Sequence, residues 1–339
     1  MPARGTPTGT FFARETIMPT DFDLNAMRDA ADVATIVAAA AQAGIFEALL
    51  SGPVTIHALA QRLELDERAL GIVLGALADW RLVVERDDAY ELAELGRRTL
   101  ADSSSPDYVA RGLPLWLSGL RAMTQLPEVL HTGEGPGMHR GTPTREQLAH
   151  FMAGMAAAPA ARVRHVVDLC LARAPRARTA LDVGGGPGLY ARELASRGLD
   201  VTLFDTPETI DFVGDAYQLR DAEHIHLAAG DAVAGPLPSG PFDVVLISNV
   251  LHMYAPARNR ALLRNVAAVT APGGVVAIGD MVRGRSPRAA RFAVVMLLNT
   301  EDGNTYTADE YEAWLREAGF TDVQVEDADA ERQLITATR

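Results

Sequence analysis

The sequence predicts an α/β protein: a doubly wound sheet in the C-terminal half, behind a mostly helical N-terminal module with a winged-helix pattern. Three observations predict it. Past Pro175, short apolar β runs alternate with helical segments, the texture of a buried parallel sheet. A glycine-rich turn, "LDVGGGPGLYAREL" at 181–194, joins the first β run to a helix. Before residue 100, three helical segments lead into a hairpin pattern.

Taken in order, residues 1–20 lack the continuous apolar stretch of a signal peptide and are expected to be a disordered or swapped arm. Residues 21–100 form the winged-helix-like module. "MRDAADVATIVAAAAQAGIFEALL" has helical periodicity up to "SGP", and "TIHALAQRLELD" and "ERALGIVLGALADWRL" give two shorter helices. "LVVERDDAYELAELG" reads as a hairpin turning at Asp87 and Asp88. Residues 101–165 are expected to be a helical linker that contributes to a substrate pocket, with a Gly/Pro-rich loop at "GEGPGMHRGTPT" and a break near Pro159. Residues 166–339 carry the sheet, ending in a strand pair, "DVQVEDA" and "RQLITATR".

Composition removes several function classes. A formal charge of −13 argues against nucleic acid or an anionic membrane as partner. The predicted second helix and wing are themselves acidic, carrying Glu64, Asp66, Glu67, Glu85, Asp87, Asp88 and Glu91 where phosphate contacts need the opposite sign. A dimerisation role suits this module better than DNA binding. No apolar run reaches the ~18 residues of a membrane span, and a cytoplasmic location is expected. The single cysteine, Cys170, permits no internal disulfide and has the helical spacing of a core residue. All 31 basic residues are arginine, which excludes a P-loop lysine, a Schiff-base lysine and a covalent pyridoxal site. His224 and His226 share a strand face without a third ligand, so no metal site is assigned.

Ligands of doubly wound sheets sit beyond the carboxyl ends of the strands, where the glycine turn lies. The dinucleotide fingerprint counted from Gly184 would need a glycine at 189, which is Leu189. Around Gly184, Gly185 and Gly186 stand Asp182, Asp205 at the end of the second strand and Asp231 at the end of the third. Acids at successive strand tips suit a cationic nucleoside without phosphate, and S-adenosylmethionine fits that description. The competing role for Asp205 and Asp231 is capping of the segments that follow.

On these stretches, with "AGIFEALLSGPVTIHALAQRLELDERALGIVLGALADWRLV", "LFDTPETI", "NVLHMY" and "APGGVVAIGD", the chain resembles the small-molecule O-methyltransferases of plant phenylpropanoid metabolism and bacterial natural-product tailoring. The resemblance covers nearly the whole chain. It implies a Rossmann-like methyltransferase fold with an N-terminal winged-helix dimerisation domain, S-adenosylmethionine as methyl donor, and a homodimer. It places Gly184 and Gly186 at the methionine moiety, Asp205 at the ribose and Asp231 at the adenine, with Asp182, Gly185, Ala232 and Ser248 completing the cofactor set. The family's catalytic histidine falls on His252 and its assisting glutamate on Asp280. The second glutamate of the plant pattern falls on Thr305, with Glu301 nearby as a third catalytic candidate. The aspartate that usually follows the histidine is replaced by Met253. Met155, Met253, Tyr254, Met296 and Asn299 form the implied substrate set.

Imidazole suits general-base work, because its free pKa lies near neutrality. A carboxylate such as Asp280 could hold one ring nitrogen and leave the other for a substrate hydroxyl. The expected activity is methylation of a hydroxyl, phenolic by preference, on a small aromatic or polyketide-type metabolite. Transfer to carbon or nitrogen, a non-methylating reaction on the same fold, and a metabolite-sensing regulator stay open as alternatives.

Overall fold

The structure is a computed structural model; it describes residues 23–105, 107–137 and 143–339, so the expected arm at 1–20 lies outside the described residues. Helix α1 (Leu24–Gln42) starts at Asp23, whose carboxylate accepts the N–H groups of Asn25 and Ala26. The single helix expected as far as "SGP" is interrupted. Gly44 takes φ 76°, ends α1, and lets a short α2 (Ile45–Ala48) turn Ile45 and Phe46 into the core.

A two-residue strand, β1 (Val54–Thr55), leads into α3 (Ile56–Leu63), and α4 (Glu67–Asp79) follows. Asp66 caps α4 through the Ala69 N–H, so at least one of the acids counted against DNA binding has a structural task. The expected hairpin forms β2 (Val83–Arg86) and β3 (Ala89–Leu92). Asp87 and Asp88 both take positive φ, the mirror-image turn that matches strand twist. β1 adds to β3 as a third strand, too short to show periodicity in the sequence. α5 (Glu94–Gly96) continues as a π-helical turn through Ala101.

Helices α6 (Leu113–Met123), α7 (Leu126–Thr132), α8 (Arg145–Ala156) and α9 (Ala160–Arg173) bridge to the sheet. A reciprocal Thr144–Gln147 box starts α8, and Pro159 separates α8 from α9, as expected. Cys170 is fully buried on α9; burial pushes its thiol up to about 12, which leaves it an inert core residue.

Seven strands follow: β4 (Thr179–Val183), β5 (Asp200–Asp205), β6 (Ile225–Ala229), β7 (Phe242–Ser248), β8 (Thr270–Asp280), β9 (Thr321–Asp327) and β10 (Gln333–Thr338). Their spatial order is β6-β5-β4-β7-β8-β10-β9. β10 inserts antiparallel between β8 and β9, and the other neighbouring pairs are parallel. The connecting helices are α10 (Leu189–Ser196), α11 (Pro207–Ala216), α12 (Pro256–Val269), α13 (Ala289–Asn299) and α14 (Ala308–Glu317). Val244–Ile247 and Val275–Ile278 are fully buried, which is why these strands read as continuous apolar runs. The strand order reverses at β4, and a crevice opens beyond its carboxyl end.

Candidate active site

A cavity of about 420 Å³ fills that crevice, within the size range of small-molecule sites. Gly184, Gly185 and Gly186 form its floor, with Asp182, Asp205, Asp231, Ala232 and Ser248 around them. The cofactor set read from the sequence is thus brought together whole. Met155, Met253 and Tyr254 of the substrate set also line this cavity.

The glycine loop is shaped by close approach. Gly184 takes φ 69°, and a Cβ there would sit 2.5 Å from Val250 Cγ2. The N–H of Gly186 donates to Asp205 Oδ2 at 2.9 Å, while Asp205 Oδ1 accepts the Thr206 N–H at 2.7 Å. Asp205 therefore braces the loop; the cap of α11 is Thr206. Asp231 does part of the capping work, since its Oδ1 accepts the Val233 and Ala234 N–H groups just past β6.

Asp182 is 1% exposed, and its Oδ2 has no hydrogen-bond partner. Burial, then the charge of Asp205, push its carboxyl up to about 7 against one backbone hydrogen bond from Ala191. Burial raises Asp205 as well, against the Gly186 and Thr206 amides and the Thr209 hydroxyl. An amide of the loop is already used by a carboxylate, and two acids stand beside it. That is hostile to phosphate and favourable to a cation. The orphaned Asp182 oxygen, the glycine cradle and this charge balance fit S-adenosylmethionine.

His252 and Asp280 form a buried pair at the tips of β7 and β8, 4% and 0% exposed. His252 Nδ1 lies 2.7 Å from Asp280 Oδ1, and Nε2 has no hydrogen-bond partner among the described residues. Asp280 Oδ1 also accepts the Met281 N–H at 2.8 Å, and Oδ2 accepts the Tyr311 hydroxyl at 2.9 Å. Burial alone would raise the Asp280 carboxyl; the charge and hydrogen bond of His252, the Met281 amide and the Tyr311 hydroxyl outweigh it and hold it below the usual carboxylate range. Burial, then Asp280, push the Tyr311 hydroxyl well above its ordinary value. Phe292 meets the imidazole edge-on, with ring centroids 4.8 Å apart.

Other expected members lie elsewhere. Glu301 is exposed on the turn after α13 and pairs with Arg258 at 3.2 Å, outside the dyad. Thr305, at the second glutamate position, is buried with its hydroxyl on the Ala289 carbonyl. Met296 and Asn299 are buried on α13 and do not line the cavity; Asn299 Nδ2 donates to the Val295 carbonyl of its own helix. His252 and Asp280 also lie behind the lining, which Val250 and Met253 provide on either side of the histidine. Tyr311 escaped the sequence reading, because its amphipathic helix gives no sign of which carboxylate it meets. Arg162 and Tyr190, also on the cavity wall, escaped as well.

Comparison with known proteins gives this geometry a context. An O-methyltransferase domain model matches residues 133–321. The 3-hydroxy-5-methyl-1-naphthoate 3-O-methyltransferase of Streptomyces sahachiroi is 30% identical over 302 residues, spanning 84% of this chain and 85% of that protein. The tetracenomycin polyketide synthesis 8-O-methyl transferase of Streptomyces glaucescens is 28% identical, spanning 84% and 87%. Among solved structures, human N-acetylserotonin methyltransferase in complex with SAM superposes with a TM-score of 0.78 at 23% identity, covering 95% of this chain and 99% of that one. With the matched domain and a relative aligned along most of both chains, this protein belongs to the O-methyltransferase family and is an S-adenosylmethionine-dependent methyltransferase.

Proposed function

We propose that the cavity at the β4 tip holds S-adenosylmethionine, and that the protein methylates a hydroxyl on a small aromatic acceptor with His252 as general base. The observation that carries the second half is the His252–Asp280 hydrogen bond of 2.7 Å, buried on both sides. Because a carboxylate accepts from Nδ1, the neutral ring keeps its proton there and presents a lone pair at Nε2. That nitrogen can take a hydroxyl proton. When bound, the donor supplies a methyl group on a sulfonium, a good electrophile that needs only an aligned oxygen. Asp280, held by Tyr311 and the Met281 amide, is a positioning residue: it fixes the tautomer and ring plane. The bacterial relatives named above are a naphthoate 3-O-methyltransferase and an 8-O-methyl transferase of tetracenomycin polyketide synthesis, which supports an aromatic acceptor. Met155 and Met253 offer an adaptable apolar wall for one.

The test is incubation with isotopically labelled methyl donor and matched phenols and anilines, followed by mass spectrometry. A labelled methyl on the phenolic oxygen is expected. Label found only on nitrogen or carbon, or on no acceptor, would overturn the O-transfer reading.

Within the donor site, Asp205 is assigned to the ribose diol. Losing such a partner costs ~1–3 kcal/mol, so Asp205→Ala is expected to weaken S-adenosylmethionine binding at least about tenfold by calorimetry. Unchanged affinity in a folded variant would remove Asp205 from the site.

We further assign the segment before residue 166 to homodimerisation and the acceptor pocket, and the rest to the methyltransferase unit. Large exposed apolar side chains among the described residues include Leu24, Ile72, Val109, Trp116 and Leu130, all on the N-terminal side. A subunit interface in this half would cover such side chains. A chain truncated to start at Arg162 is expected to be monomeric or insoluble by light scattering, and a stable soluble dimer would contradict the assignment.

A further inference from the structure

Arg332 immediately precedes β10, at the sheet end beside the cavity, and its guanidinium donates a hydrogen bond to Asn249 Oδ1. Asn249 lines the cavity, as does Arg162. Two guanidinium groups thus meet beside the cavity. Two carboxylates act on Arg332: Asp280, whose oxygens are already held by His252, Met281 and Tyr311, and Asp329, which is close to both cations. Asp329 is committed as well. Its Oδ2 pairs with Arg162, and its Oδ1 accepts the Glu331 and Arg332 N–H groups at 2.8 and 2.9 Å. The Arg332 side chain has a neutral amide as its hydrogen-bond partner and no carboxylate within ion-pair distance among the described residues. Burial, then the charge of Arg162, lower the Arg332 guanidinium below its ordinary value and outweigh the opposing charges of Asp280 and Asp329. A cation withdrawn from water beside a second cation is costly unless an anion arrives.

The sheet order says which anion. Asp231 and Asp205 follow β6 and β5, on one flank of the glycine loop at β4. Asn249 and Arg332 flank β7 and β10, on the other. A ligand lying across the strand tips therefore meets carboxylates at one end and guanidinium groups at the other. Tyr190 and Ser248 also line the cavity. A nucleoside held by acids on the first flank would carry its amino-acid end to the second.

We propose that Arg332, seconded by Arg162, binds the carboxylate at the amino-acid end of the methyl donor. The assignment rests on the donor reading of the cavity. The discriminating pair of ligands is S-adenosylhomocysteine and 5′-methylthioadenosine, which share the nucleoside and the thioether but differ in the amino-acid end. A charge-assisted hydrogen bond of this kind is worth roughly ten- to hundredfold in affinity. Arg332→Met is expected to weaken S-adenosylhomocysteine about tenfold or more by calorimetry, while methylthioadenosine stays within about threefold and Arg332→Lys restores much of the loss. The melting temperature of the ligand-free Arg332→Met variant should hold or rise, because a desolvated charge without an ion-pair partner has gone. Equal losses for both ligands with a lower melting temperature would make Arg332 a structural residue and overturn the proposal. So would unchanged S-adenosylhomocysteine affinity with a raised KM for a carboxylated acceptor, which would transfer the subsite to the acceptor. Failure of the wild-type chain to bind either nucleoside would instead remove the donor reading itself, and this inference with it.

Discussion

Replacing His252 with alanine is expected to lower kcat by about 10² or more, while affinity for the methyl donor stays within about threefold. In the proposed arrangement the base serves the acceptor, while the donor is assigned to the glycine loop and the β5 and β6 tips, whose residues line the cavity where His252 does not. The rate of the wild-type enzyme should rise with pH, since only the neutral ring can accept a proton. Two of the three linked groups cannot supply that limb. Asp280 is held below the usual carboxylate range and stays ionised as pH rises; Tyr311 is pushed well above its ordinary value and stays protonated. A rise that vanishes in His252→Ala assigns the limb to the base; one that persists assigns it to the acceptor hydroxyl or to Asp182, whose carboxyl burial pushes up to about 7. Acceptors already ionised to phenolate should be partly rescued. Asp280→Asn should lose less, because it alters the support of the ring and not the proton acceptor. Steady-state kinetics across pH with a confirmed acceptor decides the matter. A His252→Ala variant within about threefold of wild type would show that alignment alone carries the transfer.

The parts of this molecule that were legible in the sequence are those with local signals. Val244–Ile247 and Val275–Ile278 announce buried strands because both of their faces are covered. Asp87 and Asp88 announce a hairpin because consecutive positive φ angles select such residues. Asp182, Gly184 and Asp205 could be grouped because each closes or adjoins a strand, and parallel strands end on one side. The break at Gly44 was hidden, since a glycine within an apolar helical pattern does not show whether the helix tolerates it or ends there.

The dyad was legible only through family resemblance. Nothing local in "NVLHMY" points to a carboxylate at 280; the two meet because β7 and β8 are paired in parallel, so that Ser248 lies beside Gly279. The same sheet geometry hid Tyr311, brought to Asp280 from α14. Glu301 was chosen for its closeness in sequence to Thr305, but the turn after α13 delivers it to solvent and Arg258. Met296 and Asn299 lie on a helix whose period is compatible with facing either the cavity or the core, and both are buried away from the lining. Arg332 carries no signature at all. Its significance comes from the ion-pair partner it lacks, which is a property of the assembled neighbourhood.

The glycine loop offers the second large effect. Gly184→Ala is expected to weaken S-adenosylmethionine binding at least about thirtyfold, ~2 kcal/mol, and to lower the urea midpoint as well. Two independent costs meet at this position. The backbone sits at φ 69°, where an L-residue loses ~1–2 kcal/mol. The new methyl would also lie 2.5 Å from Val250 Cγ2, and overpacking of this kind costs ~1–3 kcal/mol. The loop cannot readily step aside, because the Gly184 N–H is tied to the Phe204 carbonyl at 2.8 Å and Gly186 to Asp205. Val250 is itself nearly buried, packed in the core cluster beneath the sheet tips. The two costs separate by a second substitution. Val250→Ala removes the methyl that collides but leaves φ unchanged, so Gly184→Ala/Val250→Ala should recover the packing share and keep the conformational one. Donor affinity by calorimetry and urea denaturation of both variants, beside Val250→Ala alone, give the partition. A Gly184→Ala chain with unchanged urea midpoint and donor affinity within about threefold would show that the loop does not need this conformation to hold the donor.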